Sequence, residues 1–430
     1  MTNADPLSWR GETLATLRIA GPLALANLAQ MLVHAIDVIF VARLGPGELA
    51  AASLSVSLFG LMIWSLSGMA GMVAALIAAE LGRKRHAVRE VRRSARMGLW
   101  LAFGTGIAAM GVCALGEQIM RAAGQDPRVA ALGGDFLGVL MWACVPALLA
   151  NVLRNFVSAL GRPVFATMIT VLAIGVSALG NYALVFGNLG LPALGLRGSA
   201  LASTLTSVFM LLAYVAVIRS DRRLRRYRVF GNWWRPEWRR LRELVRKGLP
   251  VTLTILAEAG LFSGAAFLMG LIGPQQLAGH TIALQLAAIG RAGWSAIGLG
   301  TGFMLITAAL MLFAPITIIR LYLDPDAPAN AALVGHALAY MTVAAAFQLV
   351  DGLQVVTAGA LRGLQDTRRP MWIALFGYWV PGLGTAIALG FFTPLAGTGI
   401  WIGLAVGLVV VAILLMQRWS GRARLGLLPA

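Results

Sequence analysis

Three carboxylates sit where water is scarce. Asp37, Glu258 and Asp351 each lie well inside a long apolar run, with no Lys or Arg within one helical turn along the chain. A charge in hydrocarbon is expensive, so acids kept there are functional candidates. Desolvation disfavours the charged form of a carboxylate, which lets it exist protonated and exchange a proton near neutral pH. With nearby oxygens it can instead hold Na⁺. Either chemistry would make each acid a coupling site for ion-driven transport. The plain alternative is a carboxylate hydrogen-bonded for packing, or facing water in a static cavity.

Neutral polar groups accompany the acids. Asn27, Gln30, Asn181, Tyr182 and Gln285 lie within apolar runs. Singly, such groups serve interhelical hydrogen bonds. Asn181 follows Ser177 by four residues, on one face of one helix, and is placed to share a proton or cation with Asp37. His34 stands one turn before Asp37, and a lone histidine of this kind reads first as a packing group. Gln30, His34, Tyr182 and Gln285 are the candidates for lining a substrate cavity. Seventeen methionines and many aromatic residues suit an adaptable pocket for drug-like cations. No phosphate loop GxxxxGK[ST], no HExxH and no GxSxG occurs. The chain is therefore expected to be neither an enzyme nor a holder of a structural metal or cofactor. Na⁺, if used, would fall at Glu258 and Asp351.

Such acids must be carried by membrane-spanning helices. Of the 430 residues, 59% are hydrophobic and 12% charged. A soluble domain carries about 25% charge. A spanning helix needs roughly 20 apolar residues, and about a dozen such runs can be traced, most between 15 and 416. The formal charge of +18 is packed into loops. Residues 83–96 hold seven basic side chains and one acid, and residues 219–247 hold twelve and three. This pattern follows the positive-inside rule and not nucleic-acid binding. Trp233, Trp234 and Trp238 suit the headgroup level. The expected protein is multi-pass in the cell inner membrane, with both termini cytoplasmic. Cys113 and Cys144 show no metal or CxxC spacing, and a disulfide framework is not expected.

The chain repeats itself. Leu44-Gly45-Pro46 with Leu49-Ala50 recurs as Ile272-Gly273-Pro274 with Leu277-Ala278, an offset of 228. Pro192-Ala193-Leu194-Gly195 recurs as Pro394-Leu395-Ala396-Gly397, an offset of 202. The predicted organisation is a first lobe over 1–218, a basic cytoplasmic linker over 219–247, and a second lobe over 248–430. Repeats in transporters place the substrate path between halves. The falling offset means that the second half has lost residues, and the expected place is its second helix, after Leu286. The expected fold is an all-α integral membrane protein of two six-helix lobes, with helix 8 shortened.

Several stretches together resemble the multidrug and toxic compound extrusion (MATE) family, in its NorM-like branch. They are Ala20-Gly21-Pro22 with Gln30 and Asp37, Ala42-Arg43-Leu44-Gly45, Asn181-Tyr182 through Phe186-Gly187, and Gly195, Gly198 and Ala200. The most specific is Asp351-Gly352-Leu353-Gln354-Val355-Val356, continuing to Gly363 through Pro370. The resemblance implies twelve helices in two lobes around a central cavity. It implies export of cationic or amphipathic compounds in exchange for Na⁺ or H⁺, by a monomer in the lipid bilayer. Asp37 helped by Asn181 would be the first lobe's coupling site, and Glu258 and Asp351 the second's. Ser177 stands where that branch often has Asn, a departure expected to weaken the first site. Two alternatives differ in chemistry. A lipid-linked precursor flippase of the same superfamily would want an arginine-rich cavity, and few arginines, Arg154 and Arg291, fall within helices. A truncated, non-transporting membrane scaffold would transport nothing.

Overall fold

A computed structural model describes scattered first-helix positions from Leu25 to Leu44, then residues 46–83, 88–122, 127–231, 237–272, 297–320, 325–326, 328 and 331–425. The short stretch at 277–290, read as a stunted helix 8, lies outside the described residues, as do Trp233 and Trp234. Every regular element among the described residues is helical, and eight are long and apolar enough to cross a membrane. The contacts divide the chain into two compact units, Leu25–Thr252 and Leu253–Ala430.

In the first unit, α1 is helical at each described position from 25 to 41. Its buried residues Ala26, Ala29, Val33 and Val41 recur at helical spacing, and Asp37 shares their face. Then follow α2 (Pro46–Arg83), α3 (Val88–Ala114), α4 (Gly116–Ala122), α5 (Pro127–Leu140) and α6 (Cys144–Ala159). Next come α7 (Pro163–Phe186), α8 (Gly195–Ser220) and the single turn α9 (Arg222–Arg225). The second helix packs on α3, α5 and α6, while α8 packs on α6 and, most extensively, on α7.

The α7–α8 pair is tight because small residues line it. A side chain at Gly198 would begin 2.3 Å from the Leu184 carbonyl oxygen, and one at Gly180 would meet Ala202 at 3.2 Å. Between the helices, Gly187 turns the chain at φ 74°, a conformation that favours glycine. The Leu194 N–H donates to the Leu184 carbonyl at 2.9 Å, so the end of α7 is satisfied by the turn itself. Hydroxyls within these helices donate back to their own backbone, as Thr170 does to Ala166 and Thr206 to Ala202. In hydrocarbon this local bond removes the cost of an unsatisfied group.

The next helix, α10 (Trp238–Ile272), starts inside the segment read as a linker. Its residues up to Thr252 cluster with the first unit and the rest with the second. Charge holds its first turns in place. Arg240 donates to Glu80 and to Glu243, each at 2.7 Å, and to Ser94 at 2.9 Å. Lys247 donates to Glu243 at 2.7 Å, and Arg93 pairs with Glu237. Partial burial opposes the charge of Glu243, but the Lys247 bond and the Arg240 guanidinium outweigh it and hold its carboxyl below the usual range.

The second unit continues with α11 (Ile297–Phe313), α12 (Pro315–Ile319), α13 (Ala331–Gly363), α14 (Arg368–Gly377), α15 (Leu383–Phe391) and α16 (Ala396–Ser420). A π-helical turn, Tyr378–Gly382, joins α14 to α15 and contains Pro381, which cannot donate a backbone bond. Helix α16 presents Gly399, Gly403 and Gly407 at every fourth position. A side chain at Gly403 would meet the Ala386 backbone nitrogen at 2.3 Å, so this stripe is where α15 lies against α16.

Two outcomes are expected. Gly198→Val should destabilise the purified protein by about 1–3 kcal/mol, the usual cost of overpacking. Gly175→Ala, in open space, should leave the thermal midpoint unchanged. For pH, a carboxyl lowered by folding contributes stability that is present at neutrality and lost as pH falls through its folded value. The thermal midpoint should therefore drop on acidification below the ordinary carboxylate range of about 4.3, and Glu243→Gln should flatten that part of the profile.

Candidate functional site

The face of α1 that carries Asp37 meets α7 and α8. Ser177 Oγ donates to Asp37 Oδ1 at 2.9 Å, and Asn181 Nδ2 donates to the same oxygen at 2.7 Å. Ser203 Oγ, from α8, donates to Oδ2 at 2.7 Å. Ser177 and Asn181 belong to a buried stripe on α7 with Ala166, Thr170 and Ala173. The sequence alternates small and polar residues at helical spacing there, and that stripe faces the rest of the unit. Ser203 follows Ala202, the residue whose Cβ abuts Gly180, so the close α7–α8 approach is what brings its hydroxyl within reach.

All three donors are neutral. They compensate the carboxylate oxygens without bringing a charge of their own, as a guanidinium at the same place would. The Asn181 amide also donates to the Ser177 carbonyl at 2.9 Å, fixing its orientation. Its own Oδ1 is buried with no hydrogen-bond partner among the described residues. A buried acceptor beside a carboxylate suits a cation with oxygen ligands, or a proton carried by water.

The second unit carries its acids differently. Asp351 is 1% exposed on α13, between Gln348 and Gln354 at three residues either side, both also buried. Gln348 Nε2 lies 2.9 Å from Met304 Sδ of α11. The Gln354 side-chain oxygen is buried with no partner among the described residues. Glu258 is half-buried on α10. Arg362, near the end of α13, lies within electrostatic reach of Glu258 and of the Tyr378 hydroxyl.

The fold has counterparts in known proteins. The MatE family model matches residues 22–183 and 288–387. Two curated relatives are each 41% identical. The probable multidrug resistance protein NorM of Mesorhizobium japonicum is matched over 97% of this chain and 95% of its own length. Its namesake from Brucella suis biovar 1 is matched over 96% and 93%. The chain belongs to the MatE family. The MatE fold is also that of solved structures, at identities that speak for the fold alone. An outward-facing multidrug resistance MATE family transporter of the MOP superfamily has a TM-score of 0.82, 20% identity and coverage of 97% and 96%. The eukaryotic MATE transporter AtDTX14 has a TM-score of 0.81, 19% identity and coverage of 97% and 99%. These counterparts are transporters, not enzymes, and this MatE chain is an all-α, two-lobed, multi-pass membrane protein.

Within the MatE chain the sequence-derived residues separate. Asp37 and Asn181 are brought together. Ser177, expected to weaken the site, donates a hydrogen bond into it. Gln30 is half-buried on α1, one turn before Val33. Tyr182 is 47% exposed, turned away from the buried face that its neighbour Asn181 occupies. His34 and Gln285 lie outside the described residues. Sequence reasoning missed Ser203, Arg362 and Gln348. The spacing of Gln348 and Gln354 about Asp351 was legible as one polar face. Ser203 gave no comparable signal, because serine is common in spanning helices.

A hydrogen bond to a charged acceptor contributes about 1.5–3 kcal/mol. Ser203→Ala should slow transport several-fold. Ser207→Ala removes a hydroxyl that donates only to the Ser203 carbonyl, at 3.0 Å. It should leave transport near the wild-type rate in the same vesicle assay.

Proposed function

We propose that the chain is a secondary active antiporter that exports cationic or amphipathic drugs and toxins in exchange for Na⁺ or H⁺. The observation that carries this reading is Asp37, a membrane-embedded acid held by three neutral donors beside an orphaned amide oxygen. Relatives of this chain bear the name of a multidrug resistance protein, which supports the substrate class. The protein works as a monomer in the inner membrane with both termini cytoplasmic. Its lobes are 1–218 and 248–430, joined by 219–247.

In this reading Asp37, with Ser177, Asn181 and Ser203, takes up the coupling cation. The cation replaces part of the balance that the three donors supply, and the Asn181 Oδ1 becomes one of its ligands. Gln30, Tyr182, His34 and Gln285 line the substrate path. In the second lobe Asp351 and Glu258 form a further cation site, and Arg362 sets the charge that Glu258 feels. Cation and substrate must compete, because a lobe that holds both at once gains nothing from exchange. A cation entering from outside then favours release of the substrate there.

The test is drug uptake into inverted vesicles. Asp37→Asn and Asp351→Asn should each lower uptake by about tenfold or more, as expected for loss of a charged partner worth about 1.5–3 kcal/mol, while membrane insertion stays intact. Normal uptake by either variant rejects that acid's role. Dissipating the Na⁺ and H⁺ gradients in turn identifies the coupling ion.

A further inference from the structure

The second unit holds a groove of about 740 Å³ between α13 and the end of α16. That is a size at which small molecules are bound, roughly 300–1,000 Å³. Its walls are apolar: Val350 and Leu353 from α13, Val409, Ile413 and Met416 from α16. Leu353 and Ile413 are among the exposed large hydrophobics of the unit. One end is different in kind. There α16 gives way to the turn after Ser420, and the lining becomes Gln417, Ser420 and Arg424.

The charges at that end are not equivalent. Arg418 is held by Asp366 at 2.5 Å. Arg422 stacks on the Trp419 ring at 4.5 Å and donates to the Trp419 carbonyl at 3.0 Å. Arg424 is exposed and makes no ion pair or hydrogen bond among the described residues. It is the single charged residue in the lining. The groove therefore offers a long apolar wall, two neutral hydrogen-bonding side chains, and one uncommitted guanidinium.

That order fits an amphiphile with an acyl chain and an anionic head. A cationic drug would meet the wrong sign of charge at the only polar end. The positive-inside rule puts this arginine-rich end at the cytoplasmic leaflet, where anionic lipid headgroups lie. We propose that the α13–α16 groove is a binding site for an anionic phospholipid of the cytoplasmic leaflet, with its acyl chain along Leu353, Val409 and Ile413. Arg424 holds the phosphate, and Gln417 and Ser420 bond the glycerol and ester oxygens. None of the coupling acids lies in its lining, so the proposal stands whether or not the chain exchanges drugs for cations.

The experiment uses the full-length protein, purified from membranes and reconstituted in nanodiscs of phosphatidylcholine containing a minority of phosphatidylglycerol. Lipid retained on the protein is read by native mass spectrometry. The wild type should retain phosphatidylglycerol in preference to phosphatidylcholine. Arg424→Gln should cut that preference by about fivefold, the factor associated with one basic residue at an anionic surface. Val409→Phe, which fills the groove wall, should lower retention of both lipids. Asp37→Asn should leave retention unchanged, which separates this site from the coupling site. Equal retention of the two lipids by the wild type, a preference that survives Arg424→Gln, or displacement of the lipid by a cationic dye would each overturn the assignment.

Discussion

The structure turns on what it costs to keep a carboxylate in hydrocarbon. A bare Asp37 would be expelled or permanently neutral. A paired one, bound to a guanidinium, would be stable and inert. Three neutral donors lie between these extremes. They compensate enough of the charge for the acid to stay within the helices. The packing of α1, α7 and α8 serves that geometry. Gly180, Gly198 and Ala202 let two helices approach until a hydroxyl on α8 reaches an acid on α1.

The two units solve the same problem with different means. In the first, the acid is balanced by hydroxyls and an amide. In the second, Asp351 sits among glutamines, and Glu258 feels the field of Arg362. Internal repetition of the chain therefore does not mean repetition of the site. Gln30 occupies the position that Glu258 holds in the second half, and Ala265 the position that Asp37 holds in the first, so the acids do not fall at matching positions. An exchanger with unlike sites can bind its cation and its substrate in unlike lobes, and competition between them needs no symmetry.

Outside the spanning region, charge has a structural task. Arg240 ties α10 to α2 and α3, through Glu80 and Ser94, and to its own next turn through Glu243. These side chains are partly buried, where an ion pair is screened less than at an open surface. The basic segment before the second unit thus anchors the helix that leads into it. At the C-terminal end Arg418 is likewise held by an acid, Asp366, whereas Arg424 is exposed.

The membrane-spanning character, helical class and family were legible in the chain itself. Each follows from hydropathy, charge placement or a contiguous motif, and such signals survive without a partner. Helix α10 begins at Trp238, inside the charged segment, where Arg240 binds Glu80 and Ser94. Only the tertiary structure decided what surrounds the acids. Asp37 and Ser203 are 166 residues apart, and no periodicity along one helix can report a bond to another. Glu258 has no cation within a turn of its own helix, yet Arg362 of α13 lies within electrostatic reach of it. Sequence determines which groups must be kept from water. Packing between helices determines which groups keep them there, because that depends on interhelical distance and rotation, quantities that no single run of residues contains.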